Sequence, residues 1–131
     1  MKMTGMVEQL RAKEHFVCTG AVAKEQIGAA EKALQLHFSD EYREYSANCG
    51  AASFDGHELT GVCAFPRLNV VDVTIKERSD NPLIPLHLYV VEQTHYDGVV
   101  IWQAENGDIY QSQPGTGPVQ IAGSLAEYLE L

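Results

Sequence analysis

The C-terminal part of this sequence has very few basic residues. Residues 51–131 contain eleven acidic residues and only three basic ones, Arg67, Lys76 and Arg78, which is a net charge of −8. No lysine or arginine follows Arg78. Proteins that bind nucleic acids or anionic membranes electrostatically need a basic surface. The charge therefore argues against both classes, and we expect neither nucleic acid nor a membrane as the partner.

Long apolar runs and paired cysteines are also missing. No apolar run approaches the roughly 18 residues that suggest a membrane span, and residues 1–16 lack the apolar segment of a signal peptide. The three cysteines, Cys18, Cys49 and Cys63, form no C-x-x-C pair, so we expect free and mostly buried thiols in a reducing compartment. Together these absences predict a cytoplasmic protein.

Motifs for metal binding and catalysis are incomplete. His57 and Glu58 begin like the zinc motif H-E-x-x-H, but position 61 is a glycine. Cys49 falls at the predicted C-terminal end of a helix, where the helix dipole disfavours a thiolate nucleophile. We therefore predict no catalytic residues, no metal and no cofactor. An enzyme of unrecognised type stays a minor alternative, because folding can bring distant side chains together.

Helix signals dominate the first fifty residues. Residues 3–14 predict a short helix with Met6, Val7 and Leu10 inward, and an apolar stripe at helical spacing predicts a second helix. That stripe consists of Ala23, Ile27, Ala30 and Leu34. A third helix is predicted from the N-cap Ser39 to Gly50, which can take the left-handed conformation that ends a helix, with Tyr42, Tyr45 and Cys49 on its buried face.

The segment 69–80 carries two conflicting signals. Its β-branched run favours a strand. Asn69 with Asp72 three residues later resembles a helix start, and Asp80-Asn81-Pro82 resembles a helix end. Between these readings we favour the helix.

Strand signals fill the rest of the chain. One or two short strands are expected around Asp55-Gly56, and a three-stranded antiparallel meander over "LHLYVVE", "GVVIWQA" and "DIYQSQ". The turns "YDGV" and "ENGD" predict type I′ hairpins, because Asp-Gly and Asn-Gly tolerate positive φ. "QPGTGP" is a loop, and Ser124 with Glu127 predicts a capped closing helix. The whole predicts one α+β domain over residues 1–131, with N-terminal helices packed on an antiparallel sheet.

The order of these elements resembles the SUKH superfamily. Its N-terminal signature consists of a helix I-x-x-x-E, a linker ending L-P-x-x-Y and a helix leading to a glycine turn. The matching positions in this sequence are Ile27, Glu31, Leu34, Phe38, Tyr42, Tyr45 and Gly50, with "LTG" at 59–61. "SLAEYL" at 124–129 is similar to the family's closing motif. Ser39 replaces the usual proline, Ser46 replaces an apolar residue, and "NCGA" stands where N-G-G is common. The resemblance implies an α+β bacterial immunity protein that binds a toxin, often a nuclease; other members are interaction modules, including a yeast regulator of cell-wall synthesis.

Acids near the predicted hairpin ends are the candidate binding residues. A basic toxin would be attracted by an acidic surface that steers association. The predicted partner-binding residues are Asp80, Glu92, Tyr96, Asp97, Glu105 and Asp108. Trp102 is either a second aromatic anchor or a core residue, and a lone tryptophan in a strand is more often core. The alternative function is a scaffold or regulatory module that binds a cell-envelope or signalling protein.

Overall fold

The computed structural model describes residues 5–131, and in that range the chain forms five helices and seven strands. The helices are α1 (Gly5–Arg11), α2 (Lys24–Leu34), α3 (Asp40–Cys49), α4 (Val70–Asp80) and α5 (Leu125–Tyr128). The strands are β1 (Val17–Cys18), β2 (Ala52–Phe54), β3 (His57–Leu59), β4 (Tyr89–Gln93), β5 (Val100–Gln103), β6 (Ile109–Ser112) and β7 (Val119–Ala122). One antiparallel sheet holds the strands in chain order. The predicted α+β class is confirmed.

Both faces of the sheet are covered. Alternate side chains of β5 show this directly, because Ile101 belongs to one core cluster whereas Val100 and Trp102 belong to another. The larger cluster joins the sheet to α1, α2, α3 and α5. The smaller one joins it to Val73 of α4 and to Ile84 in the segment before β4. Helices therefore cover both faces of the sheet, and α4 reaches both clusters, since its Val70 belongs to the larger one and the helix also contacts α2.

The predicted helices form because their caps are local. Ser39 Oγ accepts a hydrogen bond from Tyr42 N at 3.0 Å and caps α3. Gly50 ends that helix with φ of 71°, as predicted, but its ψ of −90° lies outside the left-handed helical region. Ala23 is a correction, since it is the exposed N-cap of α2 and not part of its buried stripe. The predicted helix over 3–14 is described from residue 5 and ends at Arg11; residues 3 and 4 lie outside the described range.

The conflict over segment 69–80 is resolved in favour of a helix. Asn69 Oδ1 accepts hydrogen bonds from Val71 N at 2.9 Å and Asp72 N at 3.4 Å, which caps the first turn of α4. The β-branched residues Val73 and Thr74 then pack toward the sheet, where Thr74 Oγ1 accepts from Val90 N at 3.0 Å. Tertiary packing therefore outweighs the strand preference of these side chains.

Two of the hairpin turns are type I′ in character, as Asp-Gly pairs favour. Asp55 and Gly56 have φ of 44° and 84°, and Asp97 and Gly98 have φ of 54° and 69°. The prediction for "ENGD" is wrong in turn type, because only Gly107 has a positive φ there. Gly107 N donates to the Ala104 carbonyl at 2.9 Å, so the tight turn begins one residue earlier than expected.

The C-terminal meander has one more strand than the sequence predicts. β7 pairs with β6 in the register Gln111↔Val119 and Tyr110↔Gln120. Its burial pattern is mostly exposed, and only Ala122 is buried. The apolar–polar alternation of Val119, Gln120 and Ile121 is short and only partly buried, so hydrogen bonding to β6 determines the conformation of this strand.

Two buried tyrosines fasten α3 to the sheet. Tyr42 OH and Thr60 Oγ1 lie 2.8 Å apart, and Tyr45 OH donates to the Thr60 carbonyl at 2.6 Å. Thr60 Oγ1 donates in turn to the Val90 carbonyl of β4 at 2.7 Å. A ring cluster with Tyr89 surrounds these contacts. The hydroxyl groups of Tyr42, Tyr45 and Thr60 are thus all paired, whereas the buried Ser46 Oγ of the same helix has no hydrogen-bond partner among the described residues.

Next to this network, two backbone segments meet at glycines. A Cβ at position 61 would lie 1.7 Å from the Gly50 carbonyl oxygen and 2.8 Å from Ala51 Cα. Atoms cannot approach so closely, so only glycine fits at position 61. This contact sets the distance between the end of α3 and the segment after β3.

Gly61→Ala should lower the free energy of unfolding by about 3 kcal/mol or more, because the new methyl group must displace backbone. Gly28→Ala is the matched control. Gly28 lies inside α2 with nothing within 4 Å of its would-be Cβ, so alanine should stabilise the chain by about 0.5–1 kcal/mol. Urea unfolding of both variants measures the difference. A loss below about 1 kcal/mol at position 61 would contradict the contact.

Burial raises the pKa of Tyr42 and Tyr45 well above the ordinary tyrosine value, and it also raises the pKa of Tyr89. In the unfolded chain these phenols ionise near pH 10. Their contribution to stability is therefore complete below about pH 10 and decreases as pH rises above it. The tyrosinate absorbance of these residues should consequently rise over the same alkaline pH range in which circular dichroism shows the chain unfolding. Ionisation of Tyr42 or Tyr45 in a still-folded chain would oppose this account.

Candidate protein-binding site

The fold does not bring the predicted binding residues into one patch. Tyr96 and Asp97 lie in the turn between β4 and β5, whereas Glu105 and Asp108 lie in the turn between β5 and β6. Successive turns of a meander fall at opposite ends of the strand that they share. Tyr96, Asp97 and Glu105 are exposed and Asp108 is half-buried. The structure therefore has two separate candidate surfaces.

Glu92 belongs to neither surface, because it is buried with only 3% of its area exposed. The cause is a β-bulge. Val90 pairs with Trp102 but Glu92 pairs with Ile101, so Val91 is an extra residue and Glu92 turns to the face of the larger core. The choice of Glu92 as a partner-binding residue assumed an exposed side chain, and its burial corrects that assumption.

Two side chains hold the buried carboxylate of Glu92. Tyr128 OH of α5 donates to Glu92 Oε1 at 2.5 Å, and His57 Nδ1 of β3 lies 2.9 Å from Glu92 Oε2. Burial and the neighbouring carboxylate raise the pKa of Tyr128 well above its ordinary value. The phenol thus stays protonated and remains a donor. Glu92 therefore ties the closing helix to the middle of the sheet, which is a structural role.

The first candidate surface is a groove of about 660 Å³ between α4 and the sheet. Val73, Val100 and Trp102 lie at its base. Trp102 is fully buried, and its Nε1 donates to Ser112 Oγ at 2.8 Å, which makes it a core residue rather than an exposed anchor. One wall is α4 with Asp72, Lys76, Glu77 and Asp80; the other includes His95, Gly98, Val99 and Pro114.

The cations of this groove are already paired. Lys76 Nζ lies 3.0 Å from Asp80 Oδ2, and Arg67 makes a bidentate pair with Glu58, which lowers the pKa of that carboxyl. Glu77 Oε2 accepts from Gln93 Nε2 at 2.6 Å, a neutral donor. Within residues 5–131, neither Asp72 nor Glu77 forms an ion pair. The groove therefore combines an apolar base with two carboxylates that lack a salt-bridge partner.

The second candidate surface is the opposite end of the sheet. A hollow of about 540 Å³ there is lined by Phe38, Asp40, Arg43, His87, Ala104, Glu105, Asn106 and Tyr110. Arg43 is committed to Glu31 at 2.9 Å and to Asp40 at 3.3 Å. Glu105 makes no ion pair with any residue of the described range. This end is acidic but has less apolar lining than the groove.

Asp72 and Glu77 are groove residues that the sequence analysis did not single out. A signal was available for Glu77 once the segment was taken as a helix, because Val73, Glu77 and Asp80 recur at i, i+4 and i+7 and so share a face. Which side of the sheet that face meets depends on the connection through Ile84, and no local pattern encodes it.

Catalytic chemistry has little support among the described residues. Within residues 5–131, no group of three or more histidine, cysteine, aspartate or glutamate side chains is arranged to hold a metal ion. Burial raises the pKa of Cys49 to about 12 and also raises that of Cys63, so neither thiol is activated as a nucleophile. No helix in this range is long and apolar enough to cross a membrane.

The chain belongs to the SUKH_5 family, described as SMI1-KNR4 cell-wall, whose model matches residues 3–130. No curated protein matches the chain. The signature residues of the superfamily have structural roles here. Glu31 Oε2 accepts from Phe38 N at 2.8 Å and pairs with Arg43, which joins α2 to α3. Tyr42 and Tyr45 bind Thr60, so the signature describes how the fold is held together.

Glu92→Ala should lower the free energy of unfolding by about 2–3 kcal/mol, because two hydrogen-bonding side chains lose their buried acceptor. The control is Glu105→Ala at an exposed turn position, which should change stability by at most about 0.5 kcal/mol. Thermal or urea unfolding of the two variants is the measurement. Equal stabilities for the two variants would show that Glu92 does not have the structural role described above.

Proposed function

We propose that this chain is a non-catalytic bacterial immunity protein that binds and neutralises a cognate protein toxin in the cytoplasm through its acidic surface. The toxin is expected to be basic, as a nuclease is around its substrate groove. Family membership supports the class, since domains of this family are in general immunity or regulatory modules. The binding residues are drawn from Asp80, Tyr96, Asp97, Glu105 and Asp108, and Glu92 is left out because it is buried.

One observation carries this proposal, namely exposed carboxylates with no nearby basic residue in the sequence to neutralise them. Asp97 and Glu105 are exposed and lie beyond Arg78, the last basic residue of the chain. Such a field attracts a basic partner over about 10 Å at moderate salt and accelerates association. The exposed ring of Tyr96, 73% accessible, stands beside Asp97 and offers an aromatic contact.

A second candidate function is a regulatory module that binds a cell-envelope or signalling protein. The description of the matching family, which names the cell wall, favours it. Both functions use protein binding without catalysis, so the site alone does not separate them. The neighbouring gene separates the two functions, because an immunity protein is expected to be encoded next to a large toxin-like reading frame.

Co-expression with the C-terminal domain of that neighbour tests the proposal directly. Cells that die when the domain is expressed alone should grow when this chain is present, and the two proteins should purify together. A variant of the toxin domain without toxicity allows the complex to be isolated in quantity. Continued death with no complex would reject the immunity function for this pair.

The variant Asp97→Asn/Glu105→Gln/Asp108→Asn should slow association with this toxin domain by about tenfold at low salt, and the difference should shrink at high salt. A matched control, Glu8→Gln/Glu14→Gln/Glu25→Gln, removes the same charge where basic residues are interspersed. It should slow association by less than about threefold. Stopped-flow kinetics at several salt concentrations measures both. Equal slowing by the two variants would mean that net charge, and not the acids of these two hairpin turns, steers association.

A further inference from the structure

We propose that Cys18 and Cys49 form a site of reversible oxidation, at which a low-molecular-weight disulfide such as oxidised glutathione converts the two thiols into one intramolecular disulfide. In a reducing compartment both thiols stay free, as they are in the structure. The disulfide forms when the surroundings of the chain become oxidising. The site lies within this chain and needs no toxin, so it does not depend on the proposed function.

Two neighbouring backbone segments bring these cysteines together. Cys18 lies in β1, which pairs with β2. The residue after it, Thr19, donates its N–H to the Ala51 carbonyl at 2.9 Å. Gly20 N then donates to the Cys49 carbonyl at 3.0 Å. The chain after Cys18 therefore runs beside the end of α3, although the two cysteines are 31 positions apart in the sequence.

The two thiols meet on the same side of the sheet. Cys49 is fully buried in the larger core cluster, and Cys18 is half-buried and packs against that cluster. The side chain of Cys49 forms a hydrogen bond with that of Cys18, and Tyr45 lies close to both. The sulfur atoms are thus already neighbours. A disulfide joins sulfur atoms about 2 Å apart, so oxidation requires the contacting thiols to approach further.

The cysteines differ in accessibility, and this difference assigns their roles. Cys18 is half-buried on β1, which is an edge strand of the sheet, so an oxidant reaches it first. Burial and the hydrogen bond with Cys18 raise the pKa of Cys49 to about 12, so this thiol stays protonated and unreactive toward a dissolved oxidant at neutral pH. Cys18 is therefore the attacking thiol, and Cys49 is the resolving thiol.

The reaction consists of two thiol–disulfide exchanges. In the first, Cys18 loses its proton to solvent and its sulfur attacks one sulfur of oxidised glutathione. One glutathione becomes bonded to Cys18, and the other leaves as a thiolate that takes up a proton. In the second, Cys49 loses its proton and attacks the Cys18 sulfur, which releases the bound glutathione in the same way. In total, two protein thiols are oxidised and one glutathione disulfide is reduced to two thiols.

The variant Cys63→Ser tests the inference, because it leaves the proposed pair as the only cysteines. Cys63 lies between β3 and α4, where its thiol donates to the Phe65 carbonyl at 3.6 Å. In excess oxidised glutathione, the folded variant should lose both thiols, gain no glutathione and stay monomeric. Dithiothreitol should restore both thiols. Thiol labelling under denaturing conditions and intact mass spectrometry measure these changes.

The wild-type chain provides a second measurement that does not depend on the folding of this variant. Labelling should count three thiols before oxidation and at most one after it. The oxidised form of either chain should unfold at a temperature at least about 5 °C higher than its reduced form, because the disulfide closes a long loop in the unfolded chain.

Two further variants test the order of the reaction. In Cys49→Ala/Cys63→Ser, Cys18 is the only thiol, and it should accept one glutathione and react no further. In Cys18→Ser/Cys63→Ser, the buried Cys49 should accept glutathione at least about tenfold more slowly. Equal rates in these two variants would refute the assigned roles.

Three results would overturn the inference as a whole. These are retention of both thiols in excess oxidised glutathione, a disulfide between two chains in place of one within the chain, and a lower unfolding temperature for the oxidised form. The immunity function is judged separately. It is tested by the protection of cells from the toxin domain, and neither result depends on the other.

Discussion

The backbone contact between Gly50 and Gly61 is the constraint on which the rest of the structure depends. It brings the end of α3 against the segment that follows β3, closer than any side chain at position 61 would allow. At that separation Tyr42 and Tyr45 reach Thr60, and Thr60 reaches the carbonyl of Val90 in β4. A helix, a hairpin and the central strand are thus fixed by one glycine pair and three hydroxyl groups.

The same arrangement gives structural roles to the polar residues of segment 38–50. Its cluster of tyrosines, acids, a serine and a cysteine has the composition of a catalytic site. Each described contact of these groups, however, is within the fold. Ser39 caps α3, and Glu41 accepts from the backbone N–H groups of Leu125 and Ala126 at 2.7 and 2.9 Å, holding α5 in place. Polar groups with fixed partners of this kind stabilise a core and are not free to bind another molecule.

Structural features that depend on neighbouring residues could be predicted from the sequence, whereas features that depend on contacts between distant residues could not. The caps at Ser39 and Asn69 and the turn at Asp97-Gly98 depend on neighbouring residues alone, and they were predicted correctly. The bulge at Val91 depends on pairing with β5, so the burial of Glu92 was missed. β7 was missed because it has only four residues, most of them not buried, and follows a loop rich in glycine and proline. The acidic residues of the candidate site could be identified from the sequence. The groove could not, because it forms only where α4 packs over the sheet.

The central proposal is that the partner binds at the end of α4 and at the acidic turns between β4 and β5 and between β5 and β6, while the N-terminal helices support the fold. Hydrogen–deuterium exchange of the chain, alone and in complex with the toxin domain of the neighbouring gene, tests it most directly. The account predicts slower exchange in residues 94–99 and 104–108 on binding, with little change in α1 and α2. Protection confined to α1 and α2, with residues 94–99 and 104–108 unchanged, would contradict it.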